Sequence, residues 1–282
     1  MAKRRYGFDE EKLKRFLREG RGQGRGKDYR PWLTIQDVSS LGRSSRIFCH
    51  KTGREHHLLS DIESALFLML DWSEAVTDIR EQFPLDREET RRIAADMGVK
   101  HPSDVQSKTD IVMTTDFLVN VRVGDTTKEV ARSVKPANDL DDARTLEKQE
   151  IERRYWYGKG VDWGLVTDLD MPKQRISNLR WLHEMQSLQH MTESYPGYWD
   201  DRCAKFLVCL PHEAGMTIKH YMQFLDNTHG FGTGETLTVL RHLAATKRIA
   251  IDLDKKFDLQ EQIDSIYVVA PSESTSNVRK IA

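Results

Sequence analysis

Thr115-Asp-Phe-Leu-Val-Asn-Val121 and Val130-Ala-Arg-Ser-Val-Lys-Pro136 are the two runs whose reading decides the fold. Both are rich in β-branched and aromatic residues, which favour a pleated surface. Gly124-Asp-Thr126 between them predicts a turn joining strands at about 114–123 and 127–135. Asp116 lies inside the first apolar run, where an unpaired charge is costly. Ser133 and Lys135 close the second, and Pro136 stops it.

Outward from this pair the pattern alternates between strand and helix. Val76 to Phe83 predicts a strand ended by Pro84, and Glu88 to Met97 a helix stopped by Gly98. Ser60 starts an apolar helix through about Asp71. Residues 44–58 predict a hairpin turning at Lys51-Thr-Gly-Arg54. A charged helix is expected from about Asp139 to Tyr157, then a strand at Val161–Thr167. Helix, three strands, helix, strand builds a mixed α/β sheet flanked by helices, with a right-handed crossover joining the last two strands. Pro172 marks a domain boundary, giving domains of about 1–170 and 171–282. Beyond it, helices are expected near 173–188, 198–209, 215–226 and 234–246, with strands at 248–253 and 266–270 and a frayed tail at 271–282. Helices followed by a two-stranded ribbon suggest a winged-helix-like domain.

Phe8, Leu13, Phe16 and Leu17 predict one face of a short N-terminal helix stopped by Gly20. The run Gly20-Arg-Gly-Gln-Gly-Arg-Gly-Lys27 lacks the Gly-Lys-Ser/Thr ending of a phosphate-cradling loop and reads as a flexible basic arm within about residues 1–30. Residues 1–27 hold ten Lys/Arg against four acids, enough to neutralise phosphates. A solubilising terminus explains the same charges equally well. The whole chain has a net charge of -1, which argues against wholesale coating of nucleic acid. With 31% charged residues and no apolar run near the ~20 residues of a membrane span, a soluble protein without membrane association is expected. Three cysteines without Cys-x-x-Cys spacing fit a reducing cytoplasm. Zinc at Cys49, His50, His56 and His57 is disfavoured, because structural zinc wants regularly paired ligands.

The order of the polar residues carries the chemistry. Glu63 on a helix, Asp116 on a strand and Ser133-Val-Lys135 ending the next strand match how metal-dependent nucleases of the restriction-endonuclease type gather their site. Magnesium needs oxygen ligands and keeps several waters, so Glu63, Asp116 and the Val134 carbonyl would suffice. Lys135 would hold the attacking water or stabilise phosphoryl charge. Each residue also has a plain structural explanation. Ser60-Asp-Ile-Glu63 matches a capping box, Asp116 could accept hydrogen bonds at a strand edge, and Lys135 could be a solvated strand end. His56-His57 face opposite ways on a strand and read as hairpin surface or as support for a site. Arg144, Lys148, Arg153 and Arg154, interleaved with Asp141, Asp142, Glu147, Glu150 and Glu152, read as a salt-bridged solvated helix face.

Glu19-Gly-Arg-Gly-Gln-Gly-Arg-Gly-Lys-Asp-Tyr29, Pro31-Trp-Leu-Thr34 and Lys51-Thr-Gly-Arg-Glu-His-His-Leu-Leu-Ser-Asp61 resemble the TnsA family. Asp78-Ile-Arg-Glu-Gln-Phe-Pro-Leu85, Thr115-Asp-Phe-Leu-Val119, Val134-Lys-Pro136, Arg144-Thr-Leu-Glu-Lys148 and Glu152-Arg-Arg-Tyr-Trp156 extend the resemblance over residues 19–168; it is weaker beyond. The resemblance implies a restriction-endonuclease-like fold, two Mg2+ ions with Mn2+ able to substitute, and cleavage at the 5′ ends of a transposon. It implies transposon-end DNA, a TnsB-type transposase and a TnsC-type ATPase regulator as partners, and action at the nucleoid of a bacterial cytoplasm. The family's catalytic set falls on Glu63, Asp116 and Lys135. Where the family commonly has Gln two before the lysine, this chain has Ser133, whose hydroxyl would reach metal through a water or not at all. A competing expectation is a DNA-bound transposition assembly factor whose nuclease site has degenerated at Ser133.

Overall fold

The structure is a computed structural model and describes residues 7–38, 43–210 and 215–269. The predicted tail at 271–282 and the first basic residues, Lys3, Arg4 and Arg5, lie outside the described residues. The chain forms two compact units, Met1–Met171 and Pro172–Ala282.

In the first unit the alternating apolar runs form the strands β3 (Val76–Pro84), β4 (Thr114–Val123), β5 (Thr126–Val134) and β6 (Asp162–Val166), once the hairpin β1 (Ser45–Cys49) and β2 (Arg54–Leu58) is counted ahead of them. The sheet order is β3-β4-β5-β6, antiparallel except for the β5/β6 pair, which is parallel. Parallel neighbours need a crossover, and α4 (Ala143–Gly158) supplies it. The α4 helix starts at Ala143 and not near Asp139, because Asp142 caps it by accepting from Thr145 N–H, while 137–141 form a separate 3-10 turn. The helices α1 (Glu10–Arg18), α2 (Asp61–Trp72) and α3 (Arg87–Asp96) complete the unit. Leu85, Ala94, Met113, Leu118, Ala131, Ile151, Tyr155 and Trp156 form its core between the sheet, α3 and α4. The α2 helix buries residues around nearly its whole circumference and packs on β1, β2 and β3. Leu13 and Phe16 of α1 pack on Trp32, whereas Leu17 is exposed, so the apolar stripe is narrower than its sequence suggests.

The glycine-rich run is not a flexible arm. Residues 20–32 fold back on themselves and onto β3. Gly22 N–H donates to Arg30 O (2.6 Å) and Arg30 N–H to Gln23 O (3.1 Å). Tyr29 Oη donates to Glu81 O (3.0 Å), and Trp32 N–H donates to Gln82 O (3.1 Å). A Cβ at Gly22 would strike the Pro84 ring, and one at Gly24 the Asp28 carbonyl; both have positive φ. These glycines are there for close approach, not looseness. Arg21 is turned inward, 3.6 Å over the Phe16 ring and paired with Asp37.

The second unit contains α5 (Lys173–His183), α6 (Tyr198–Cys209), α7 (Ile218–His229) and α8 (Glu235–Ala245), with an antiparallel ribbon of β7 (Ile249–Ala250) and β8 (Tyr267–Val268). The ribbon is shorter than the runs 248–253 and 266–270 suggest. Past Ala250 the chain leaves it for a turn in which Asp254 N–H donates to Asp252 Oδ1 (2.9 Å). The α5 helix stops at His183, five residues earlier than expected, and α7 begins at Ile218 because Thr217 caps it. Among the described residues no helix is long and apolar enough to cross a membrane.

Candidate active site

Three chain segments bring Glu63, Asp116, Val134 and Lys135 to one place. The first turn of α2 holds Glu63: its N–H is capped by Ser60 Oγ (3.1 Å), and its carboxylate accepts from Ser60 Oγ (3.0 Å) and from Leu59 N–H (3.0 Å). The carboxylate reaches Leu59 N–H instead of returning to Ser60 N–H, and the same Oε2 stays within reach of Gln82. Asp116 projects from β4, and its Oδ2 accepts from Val134 N–H at 2.7 Å. Lys135 Nζ lies 3.3 Å from the same oxygen and donates to Val134 O at 2.6 Å. Glu63 and Asp116 are buried, and Lys135 is partly exposed at the end of β5.

Two further residues belong to this cluster. Gln82 Nε2 is 3.3 Å from Glu63 Oε2 and 3.3 Å from Asp116 Oδ1. Glu152 of α4 is buried, not part of a solvated face; its Oε1 accepts from Ser133 Oγ, from Thr115 Oγ1 (2.7 Å) and from Trp163 Nε1 (3.1 Å). Trp156 Nε1 in turn donates to Thr115 Oγ1 (2.6 Å). Ser133 is therefore buried with its hydroxyl committed to Glu152. The rest of the α4 charge pattern is solvated as expected, with Arg144 on Glu147 and Arg153 and Arg154 on Glu150.

The electrostatics are unbalanced. Burial, and next the charge of Asp116, push the Glu63 carboxyl up to about 7 from 4.5. The same two causes push Glu152 up to about 7. Burial works against the charge of Lys135, but Asp116, Glu152 and Glu63 outweigh it and raise its pKa, so it stays protonated. Among the described residues, three carboxyl groups thus share one ammonium. The Glu63 carboxylate, the Asp116 carboxylate and the Val134 carbonyl are all hard oxygen donors, a set that fits a divalent cation such as magnesium. Among the described residues no group of three or more His, Cys, Asp or Glu side chains is placed to hold a metal ion by itself. Two carboxylates and a carbonyl match an ion that keeps much of its water.

His56 and Cys49 lie elsewhere and do other work. His56 is fully buried, not on the hairpin surface; its Nδ1 is 2.8 Å from Glu81 Oε2 and its Nε2 is 2.8 Å from Thr52 Oγ1. Arg54 grips the Glu81 carboxylate with two bonds of 2.8 and 2.6 Å. Cys49 Sγ donates to Asp71 Oδ1 at 3.0 Å.

The central mixed sheet flanked by helices fits the restriction-endonuclease-like class of folds. Residues 73–168 match the family model described as TnsA-like endonuclease N terminal, and residues 170–253 match the one described as TnsA endonuclease C terminal. The chain is 44% identical over 257 residues, 91% of each sequence, to the transposon Tn7 transposition protein TnsA of Escherichia coli. The chain belongs to the TnsA endonuclease family.

Proposed function

We propose that this endonuclease cleaves the 5′ ends of a transposon during DNA transposition, using Mg2+ within a heteromeric transposase complex. The observation that supports it best is the convergence of Asp116, Val134 and Lys135 through direct hydrogen bonds, with Glu63 joined to Asp116 through the Gln82 amide. Glu63, Asp116 and the Val134 carbonyl would hold the cation, which supplies water activation and stabilisation of the leaving oxygen. Two ions, with Mn2+ as a substitute, form part of this proposal. The raised Glu63 and Glu152 carboxyls fit a site whose negative charge is balanced only on loading. Lys135, protonated and beside Asp116, positions the attacking water or a phosphoryl oxygen. In this reading Ser133 holds Glu152 and is not itself a direct ligand; its hydroxyl bonded to Glu152 supports that role. Transposon-end DNA, a TnsB-type transposase and a TnsC-type ATPase are the partners in this proposal, and a bacterial cytoplasm is the setting. The printed name of the Escherichia coli relative supports the transposition role.

The second unit we read as a winged-helix-like module that docks a protein partner. Its candidate recognition helix, α8, turns its basic side chains inward: Arg241 pairs with Glu184 (2.5 Å) and with Trp181 O, and His242 Nδ1 is 2.8 Å from Met185 O. Little of that charge remains for phosphates, which normally supply most DNA affinity.

The test is strand cleavage with the partner transposase, the ATPase and Mg2+. Asp116→Ala should abolish 5′ cleavage and leave 3′ cleavage by the partner intact. Glu63→Gln keeps the capping geometry but loses the charge, and should also lose most activity. Full 5′ cleavage by either variant would sink the assignment.

A further inference from the structure

Among the described residues, Gln82 is the one side chain hydrogen-bonded to both site carboxylates. It is buried in β3, between Glu81 and Phe83, and its backbone has φ +48°. That is the left-handed region, which strains any residue except glycine and persists only where the surroundings enforce it. The surroundings here are specific. Trp32 N–H holds the Gln82 carbonyl at 3.1 Å. Thr114 Oγ1 donates to the side-chain Oε1 at 3.1 Å. The orientation of the amide follows from charge: turned over, its oxygen would face two carboxylates.

An amide nitrogen has two hydrogens, and here each carboxylate takes one. Among the described residues Asp116 is otherwise held through Oδ2, by Val134 N–H and Lys135, and Gln82 is the partner of Oδ1. Glu63 Oε2 is shared between Gln82 and Leu59 N–H. The amide therefore sets the rotation of Asp116 and its spacing from Glu63, and offsets part of their repulsion.

We propose that Gln82 is a positioning residue of the active site, clamping Glu63 and Asp116 in the arrangement that receives a divalent cation, with Thr114 orienting its amide. The inference rests on the proposal that these two carboxylates are metal ligands. Outer partners of this kind typically change metal affinity about 10–100-fold when removed.

The test is the Mn2+ dissociation constant of the full chain, by calorimetry without DNA or partners, beside the melting temperature in EDTA. Gln82→Met keeps the length and removes both donors. It should weaken Mn2+ about 10–100-fold while still melting cooperatively. Thr114→Val leaves Gln82 untouched and is nearly isosteric, so it carries the test even if Gln82→Met does not fold. It should weaken Mn2+ by a smaller factor, and Thr114→Ser should restore wild-type affinity. Unchanged Mn2+ affinity in Thr114→Val and in folded Gln82→Met, with binding lost in Asp116→Ala, would overturn the clamp while sparing the metal site. Unchanged affinity in Asp116→Ala would overturn the metal site itself.

Discussion

Two clusters of buried charge start from neighbouring residues of β3 and are balanced in opposite ways. At Glu81, one carboxylate meets two Arg54 bonds, the His56 ring at 2.8 Å and His57 N–H at 3.1 Å. Although burial works against ionisation, Arg54 and His56 prevail and hold Glu81 down at about 2. At Gln82 the situation reverses, with three carboxyl groups around a single ammonium and two of them raised to about 7. A carboxylate with surplus donors ties the β1–β2 hairpin to the sheet. A cluster short of positive charge is a place where a cation has something to do. Net compensation, and not burial, separates the two.

The comparison breaks most visibly at Glu81. Glu81→Ala leaves the Arg54 guanidinium buried without its partner and should destabilise the fold by about 3–5 kcal/mol, read by urea unfolding. A cost below about 1 kcal/mol would show that the two clusters do not differ in kind. Lys135→Ala removes the ammonium that Asp116, Glu152 and Glu63 share. It should lower cleavage about 10²–10³-fold with little change in stability. A large fall in metal affinity with normal turnover at saturating metal would contradict the role given to it.

The pH dependence sharpens the contrast. Glu63 and Glu152 have folded values near 7 against an ordinary 4.5, so the folded state holds more protons than the unfolded one between those values. Their contribution to stability is therefore present at low pH and falls as pH rises through 7. Added Mg2+ should raise the melting temperature more at pH 8 than at pH 6. An equal or reversed effect would mean that the raised carboxyls do not face the cation. The smallest effect is expected at Ser133. Ser133→Gln restores the residue that the family commonly carries, and cleavage should be at least equal to that of the wild type. A folded but inactive Ser133→Gln would show that the pocket depends on the serine-to-Glu152 bond.

Much of this was legible in the sequence. The strand runs around Asp116 and Ser133-Val-Lys135 and the helix opening at Glu63 are local patterns, and their order survives folding. Gln82 was not legible, because a polar residue one position before Phe83-Pro84 gives no sign of a positive φ. Glu152 was hidden among alternating charges, although Tyr155 and Trp156 at spacings of three and four place it on the apolar face of α4. That spacing could have revealed it. Residues 20–27 misled for a different reason: alternating glycines read as looseness, yet Gly22 and Gly24 permit close contact with Pro84 and Asp28. In the second unit, strands 248–253 and 266–270 were overextended because apolar alternation continues past the point where the backbone turns.

The central claim is that the under-balanced cluster is where the cation sits. The most direct measurement is anomalous diffraction from crystals of the protein soaked in Mn2+. The account predicts density bounded by the Glu63 carboxylate, the Asp116 carboxylate and the Val134 carbonyl, absent in Asp116→Ala crystals. Mn2+ bound elsewhere, with that position empty in a preparation that cleaves DNA, would contradict it.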